Sequence, residues 1–202
     1  MAEVPLHDIS VADIIEEAEV ARATFYFYFS SKYAVVAGLL AQIMDEIYDV
    51  VEPFRARSAD EPPDVALRRS LESSTVVWGA HRAAIRATVE HWHAVPELQS
   101  LWLAVVERFT TAVAAEIDRQ RSEGLVPPGV DSRQLAATVI WATERILYIA
   151  GLGADDDLPS EPATIDVLMA LWLGALYGAQ VQTAARAPAF AAGQPDASDG
   201  RS

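Results

Sequence analysis

The sequence predicts an all-α fold, and three observations carry the prediction. Apolar residues recur at three- and four-residue spacing through most of the 202 residues. No stretch of strict apolar/polar alternation is bounded by Asn-Gly or Asp-Gly, so hairpins are not expected. Proline and glycine stand at spaced intervals and punctuate helices.

The elements follow in chain order. A short helix starts after Ser10, where Asp13 at the third helical position makes a capping box. Ile9 and Ile14 take the flanking hydrophobic-staple positions. A second short helix runs from about Arg22, and a long one from about Ser31 to Arg57. The Ser58–Pro63 stretch breaks it. Further helices are expected over about 64–79, 83–93 and 96–123. Pro127, Pro128 and Gly129 then mark a loop. Asp131 or Ser132 starts a helix over 132–152, because Leu135, Val139 and Ile146 follow in helical register. An acidic connector over 153–162 leads to a last helix at about 163–184. Its stripe is Ile165, Leu168, Met169, Trp172 and Leu176. From Ala185 the composition turns to Ala, Pro, Gly, Ser and Asp, the pattern of a disordered tail.

Composition excludes several function classes. Cysteine is absent, which removes thiol catalysis, Cys-ligated zinc and iron–sulfur clusters. No run of about 18 uncharged apolar residues suggests a membrane span, and no leader pattern suggests secretion, so the expected address is the cytoplasm. His91 and His93 are two apart on different helix faces, so no metal site is expected, and no cofactor motif appears. No nucleophile elbow or paired-carboxylate motif appears either, and catalysis is not expected. The Glu144–Arg145 adjacency reads as two structural contacts. The formal charge of −14 argues against nucleic acid when taken alone. Residues 1–50 carry nine acids against Arg22 and Lys32, a formal −7.

Residues 9–40 nevertheless have the shape of a helix-turn-helix, with a tight connection near Ala18–Ala21. The second helix crowds Phe25, Tyr26, Phe27, Tyr28 and Phe29. Burial explains Phe25 and Phe29, four apart on one face, but not Tyr26 and Tyr28.

This segment resembles the DNA-binding domain of TetR-family transcriptional repressors. Their signature runs Ile-Ala…Ala-Gly-Val-Ser-x-x-Thr-x-Tyr-x-x-Phe-x-Ser-Lys. Ile14, Ala18, Val20, Thr24, Tyr26, Phe29, Ser31 and Lys32 match it. Ala115–Arg119, Glu144–Arg145 and Leu171–Gly178 are similar to landmarks of the C-terminal half of one branch. The resemblance implies an N-terminal helix-turn-helix domain over 1–50 and a C-terminal ligand-binding and dimerisation domain over 51–184, with 185–202 as the tail. The first family helix is largely missing ahead of Ile9. Operator DNA is the implied partner, bound by a homodimer whose interface is formed by the last two helices. Arg22, Thr24, Tyr26, Tyr28 and Lys32 are the implied DNA contacts. An apolar tunnel for a small apolar or aromatic effector is implied, lined by Trp78, Trp102, Phe109, Trp141, Thr143 and Trp172. The long third helix is the implied lever between the two.

Three residues depart from the signature. Glu19 replaces the turn glycine, where a left-handed backbone costs about 1 kcal/mol. Ala21 replaces the capping serine, at roughly 0.5–2 kcal/mol. Ile15 replaces a small alanine and is expected to crowd the two helices. These departures keep an alternative open, an all-α small-molecule-binding protein without DNA binding.

Overall fold

The computed structural model describes residues 6–58, 60–158 and 163–178. Within them are nine helices and no strand: α1 Val11–Glu17, α2 Arg22–Tyr28, α3 Lys32–Val50, α4 Glu52–Arg55, α5 Pro63–Ala80, α6 Arg82–His91, α7 Pro96–Ser122, α8 Ser132–Leu152 and α9 Ala163–Tyr177.

Local chemistry sets the boundaries. Ser10 caps α1 in a complete capping box: Asp13 N donates to Ser10 Oγ at 3.1 Å, and Ser10 N to Asp13 Oδ2 at 2.7 Å. These hydrogen bonds hold the Asp13 carboxyl below its ordinary pKa. Helix α1 closes in a Schellman motif. Glu19 N donates to Glu16 O and Val20 N to Ile15 O, both at 3.2 Å. That geometry places Glu19 at φ +53°, the left-handed region. Ala21 starts α2 from extended backbone with no side-chain cap. Both costs foreseen in the turn are therefore present.

The third helix is shorter than its apolar spacing predicts. It ends at Val50, and the short α4 follows after Val51. Pro53 is the reason: it has no N–H for the Asp49 carbonyl, and its ring clashes with the preceding turn. Proline also opens α5 and α7, at Pro63 and Pro96, where a helix needs no donor. Asp131 caps α8 by accepting from Arg133 N at 3.0 Å and Gln134 N at 3.1 Å, and Gly153 at φ +59° ends it. His81 sits at the α5–α6 junction. The last helix is described to Tyr177; the predicted extension over 179–184 and the tail lie outside the described residues.

The core lies in the C-terminal helices. Helix α8 packs most extensively on α7, and α3, α5 and α9 close around them. Leu40, Ile43, Met44 and Ile47 of α3 enter this core, with Leu67, Trp102, Val139 and Leu168 from the other walls. Helix α1 buries no residue, and α2 buries only Phe25. The N-terminal pair is thus a thin appendage that buries little. Helix α8 is long and apolar enough to cross a membrane by length and composition. Here it packs against α7 and α9 and carries Glu144 and Arg145 in its middle.

A buried polar chain ties α9 to α7. Tyr177 OH donates to Gln120 Oε1 at 2.5 Å, and Gln120 Nε2 to Glu116 Oε1 at 2.5 Å. Arg119 forks onto both Glu116 oxygens. Burial pushes the Tyr177 hydroxyl up to about 12.

Candidate functional site

Two regions hold the residues singled out from the sequence. The first is the outer face of α2. Arg22, Thr24, Tyr26 and Tyr28 are all exposed, while Phe25 turns inward and Phe29 packs beside it at a ring distance of 5.8 Å. A seven-residue helix with one inward residue presents nearly its whole circumference to solvent. The Arg22 guanidinium lies 5.3 Å from the Tyr26 ring centroid. Phe27, part of the aromatic run but without an expected contact, is 81% exposed and stands edge-on to Tyr28. Burial cannot account for an apolar ring placed this way.

Lys32 sits differently from the other four. Its ammonium donates to the carbonyls of Leu6 at 2.8 Å, His7 at 3.2 Å and Ile9 at 2.7 Å. An ammonium has three protons, so this set saturates it. Its charge therefore organises the segment ahead of α1. Ser31 caps the same helix end by accepting from Ala34 N.

The second region is an apolar cavity of about 120 Å³ lined by α3, α4, α5, α7, α8 and α9. Each long wall contributes a stripe at helical spacing. Helix α5 gives Leu67, Ser70, Leu71, Ser74 and Trp78; α7 gives Trp102, Val105, Val106, Phe109 and Val113; α8 gives Ile140, Thr143, Glu144 and Leu147. Trp172 of α9, Met44 and Ile47 of α3, Val51, and Phe54 and Arg55 of α4 complete it. The Trp172 indole donates to Thr143 Oγ1 at 2.8 Å, and that hydroxyl donates to Val139 O at 2.7 Å.

Five of the six residues expected on a tunnel thus meet in one cavity: Trp78, Trp102, Phe109, Thr143 and Trp172. Trp141 is not among them. It lies off the α8 stripe, stacks on Trp92 with centroids 6.2 Å apart, and borders a surface groove with Leu103 and Arg133. The reason is angular: two residues two apart on a helix point about 200° apart, so Trp141 and Thr143 cannot share a wall.

Glu144 needs the opposite correction. The sequence reads it as a structural contact, and its approach to Arg145 is loose, 3.7 Å. The carboxyl is instead buried on the cavity wall, and burial raises its pKa above the ordinary carboxylate value. The signal that could have found it is the 140, 143, 144, 147 spacing. Among the described residues, no cluster of His, Asp or Glu could hold a metal ion.

Comparison with known proteins agrees with this two-part layout. Residues 67–178 match the family model for the transcriptional regulator EthR, C-terminal domain, and residues 1–39 match the model for bacterial regulatory proteins of the tetR family. The chain is 30% identical over 174 residues to the HTH-type transcriptional regulator EthR of Mycobacterium tuberculosis, covering 86% of this chain and 80% of that one. The EthR of Mycolicibacterium smegmatis is also 30% identical, over 171 residues, with 85% and 78% covered. Among solved structures, a TetR-family regulator from Syntrophomonas wolfei superposes with a TM-score of 0.68 at 16% identity, covering 83% of this chain and 84% of that one. A regulatory protein TetR from Rhodobacter sphaeroides gives 0.66 at 16%, with 85% and 89% covered. By its family models and its mycobacterial relatives, the chain belongs to the TetR family of transcriptional regulators.

Proposed function

We propose that this chain is a cytoplasmic repressor that binds operator DNA as a homodimer and is released by a small, largely apolar effector. The observation that carries the reading is the cavity and its connection to α3. Met44 and Ile47 on the cavity wall and Lys32 at the other end belong to one uninterrupted helix. Twelve residues separate Lys32 from Met44, about 18 Å of rod at 1.5 Å per residue. A tilt of about 5° at the wall would move the Lys32 end by roughly 1.6 Å, and α2 with it. An effector releases DNA only if it favours the tilted state over the other. The volume, about 120 Å³, is close to that of dry engineered cavities that admit benzene.

In this reading residues 1–50 form the DNA-binding unit and 51–184 the effector and dimer unit, paired through α8 and α9. Arg22, Thr24, Tyr26 and Tyr28 contact the duplex. Lys32 acts through the Leu6–Ile9 segment, whose carbonyls it holds beside α1. Phe27 is suited to the methyl group of a thymine in the major groove.

A second reading is a helical effector-binding protein without DNA binding. It is favoured by the saturated Lys32 ammonium and the left-handed Glu19. Anisotropy titration of labelled duplexes from the chain's own upstream region separates the two. Saturable binding that survives excess unrelated duplex and weakens with salt supports the repressor. A folded dimer that leaves every duplex free refutes it.

A further inference from the structure

The effector cavity contains one carboxyl, and its hydrogen-bonding capacity is unmet. The Glu144 side chain is 7% exposed, and its Oε1 is buried with no hydrogen-bond partner among the described residues. Its Oε2 lies 3.7 Å from an Arg145 nitrogen, beyond hydrogen-bond range. Arg145 itself is 52% exposed and leans toward the Tyr148 ring. A buried acid left this way is costly unless something meets it.

The other polar groups on the wall are mostly occupied. Thr143 is engaged with Trp172 and Val139. Ser70 Oγ accepts from Phe54 N at 3.0 Å, and Ser74 Oγ donates to Leu71 O at 3.0 Å. Arg55 donates to Tyr48 O at 3.1 Å and lies 3.9 Å from the Tyr48 ring centroid, although its Nε is unmet. The Trp102 indole N–H is also unmet, but a neutral donor does not choose the charge of a ligand.

We infer that the effector is an apolar molecule carrying one protonated nitrogen, held by the Glu144 carboxylate while its hydrocarbon part fills the indole-lined cavity. This rests on the reading of the cavity as the effector site. A protonated amine supplies both the donor and the countercharge that the acid lacks, and charge-assisted hydrogen bonds are the strong ones. A neutral hydroxyl supplies only the donor. An anionic ligand would set two like charges on one wall. The net charge of −14 raises the local concentration of cations and lowers that of anions.

The test is isothermal titration calorimetry of the full chain with three probes of matched size: 2-phenylethylamine, 2-phenylethanol and 3-phenylpropionate. The amine is expected to bind at least about tenfold tighter than the alcohol, with the carboxylate weakest. Glu144→Gln should bring the amine to within about twofold of the alcohol. Equal binding of amine and alcohol by the unmodified chain overturns the inference and leaves the cavity reading standing, whatever the fate of the variant. Tightest binding by the carboxylate also overturns it and makes Arg55 the anchor. Retention of the amine preference by Glu144→Gln overturns it as well. Failure of all three probes to bind overturns the cavity reading and the inference together.

Discussion

Replacing Glu19 by glycine should slow local opening of the α1–α2 turn. Glu19 is the residue after the α1 C-cap, at φ +53°, and two backbone bonds of 3.2 Å depend on that conformation. A side chain with a Cβ pays about 1 kcal/mol to be there, and glycine does not. The acid also sits at the negative end of the α1 dipole, which adds a few tenths of a kcal/mol. Together these give about 1.3 kcal/mol, or roughly ninefold in the opening equilibrium. Alanine at the same position removes the charge and keeps the strain, so Glu19→Ala should give only about twofold. Hydrogen–deuterium exchange of the peptide covering residues 14–29 reads both. The N-terminal helices bury little, so the effect should appear locally and barely move the global melting temperature. Unchanged or faster exchange in Glu19→Gly refutes the strain argument. Equal slowing by alanine and glycine shows that charge, not backbone conformation, is the source.

Three further outcomes follow from geometry already described. Tyr177→Phe leaves the buried Gln120 Oε1 without its donor and should cost about 1–3 kcal/mol in urea unfolding, a result undone by a wild-type midpoint. Thr143→Val removes the acceptor of the Trp172 indole and should destabilise by about 1–2 kcal/mol, and combined with Trp172→Phe it should cost less than the sum of the two single losses; additive losses would show that the hydrogen bond is not the coupling term. The raised pKa of Glu144 predicts a pH signature. Below pH 4.5 the group is protonated in both folded and unfolded chains and costs nothing differential. As pH rises past 4.5 the unfolded chain releases its proton first, so folded stability falls until the folded group also ionises. The melting temperature of Glu144→Gln should therefore gain on wild type between pH 4 and 7, and a constant difference would remove burial as the cause.

The helical architecture was legible because its signals are local. Ser10 and Asp13, Asp131, and the prolines at 63 and 96 act through backbone groups within one turn, so their chemistry survives any tertiary arrangement. The turn costs at Glu19 and Ala21 were legible for the same reason. The end of α3 was not legible because apolar spacing continues through Phe54, whereas the break is set by the missing donor of Pro53. In the cavity, residue type suggested which side chains line it, and helix phase decided it. Trp141 looked suitable by chemistry and fails by angle; Glu144, read only as a structural contact, is placed on the wall by angle. The clamp on Lys32 joins residues 23 to 26 positions apart, a contact no local pattern encodes.

The five tryptophans have an optical consequence. All lie at or beyond position 78, three of them on the cavity wall, and none lies in α1, α2 or α3. Excited at the red edge of indole absorption, the protein emits only from α5 onward, while α1, α2 and α3 stay dark. Trp172, hydrogen-bonded to Thr143, and Trp102, with its N–H unmet, occupy different polar environments within the same cavity. An effector entering there should shift the emission spectrum directly, whereas an operator bound at α2 can alter it only through α3. One cuvette thus contains a built-in separation of cause from relay: spectral change on adding DNA alone is a measure of the coupling itself.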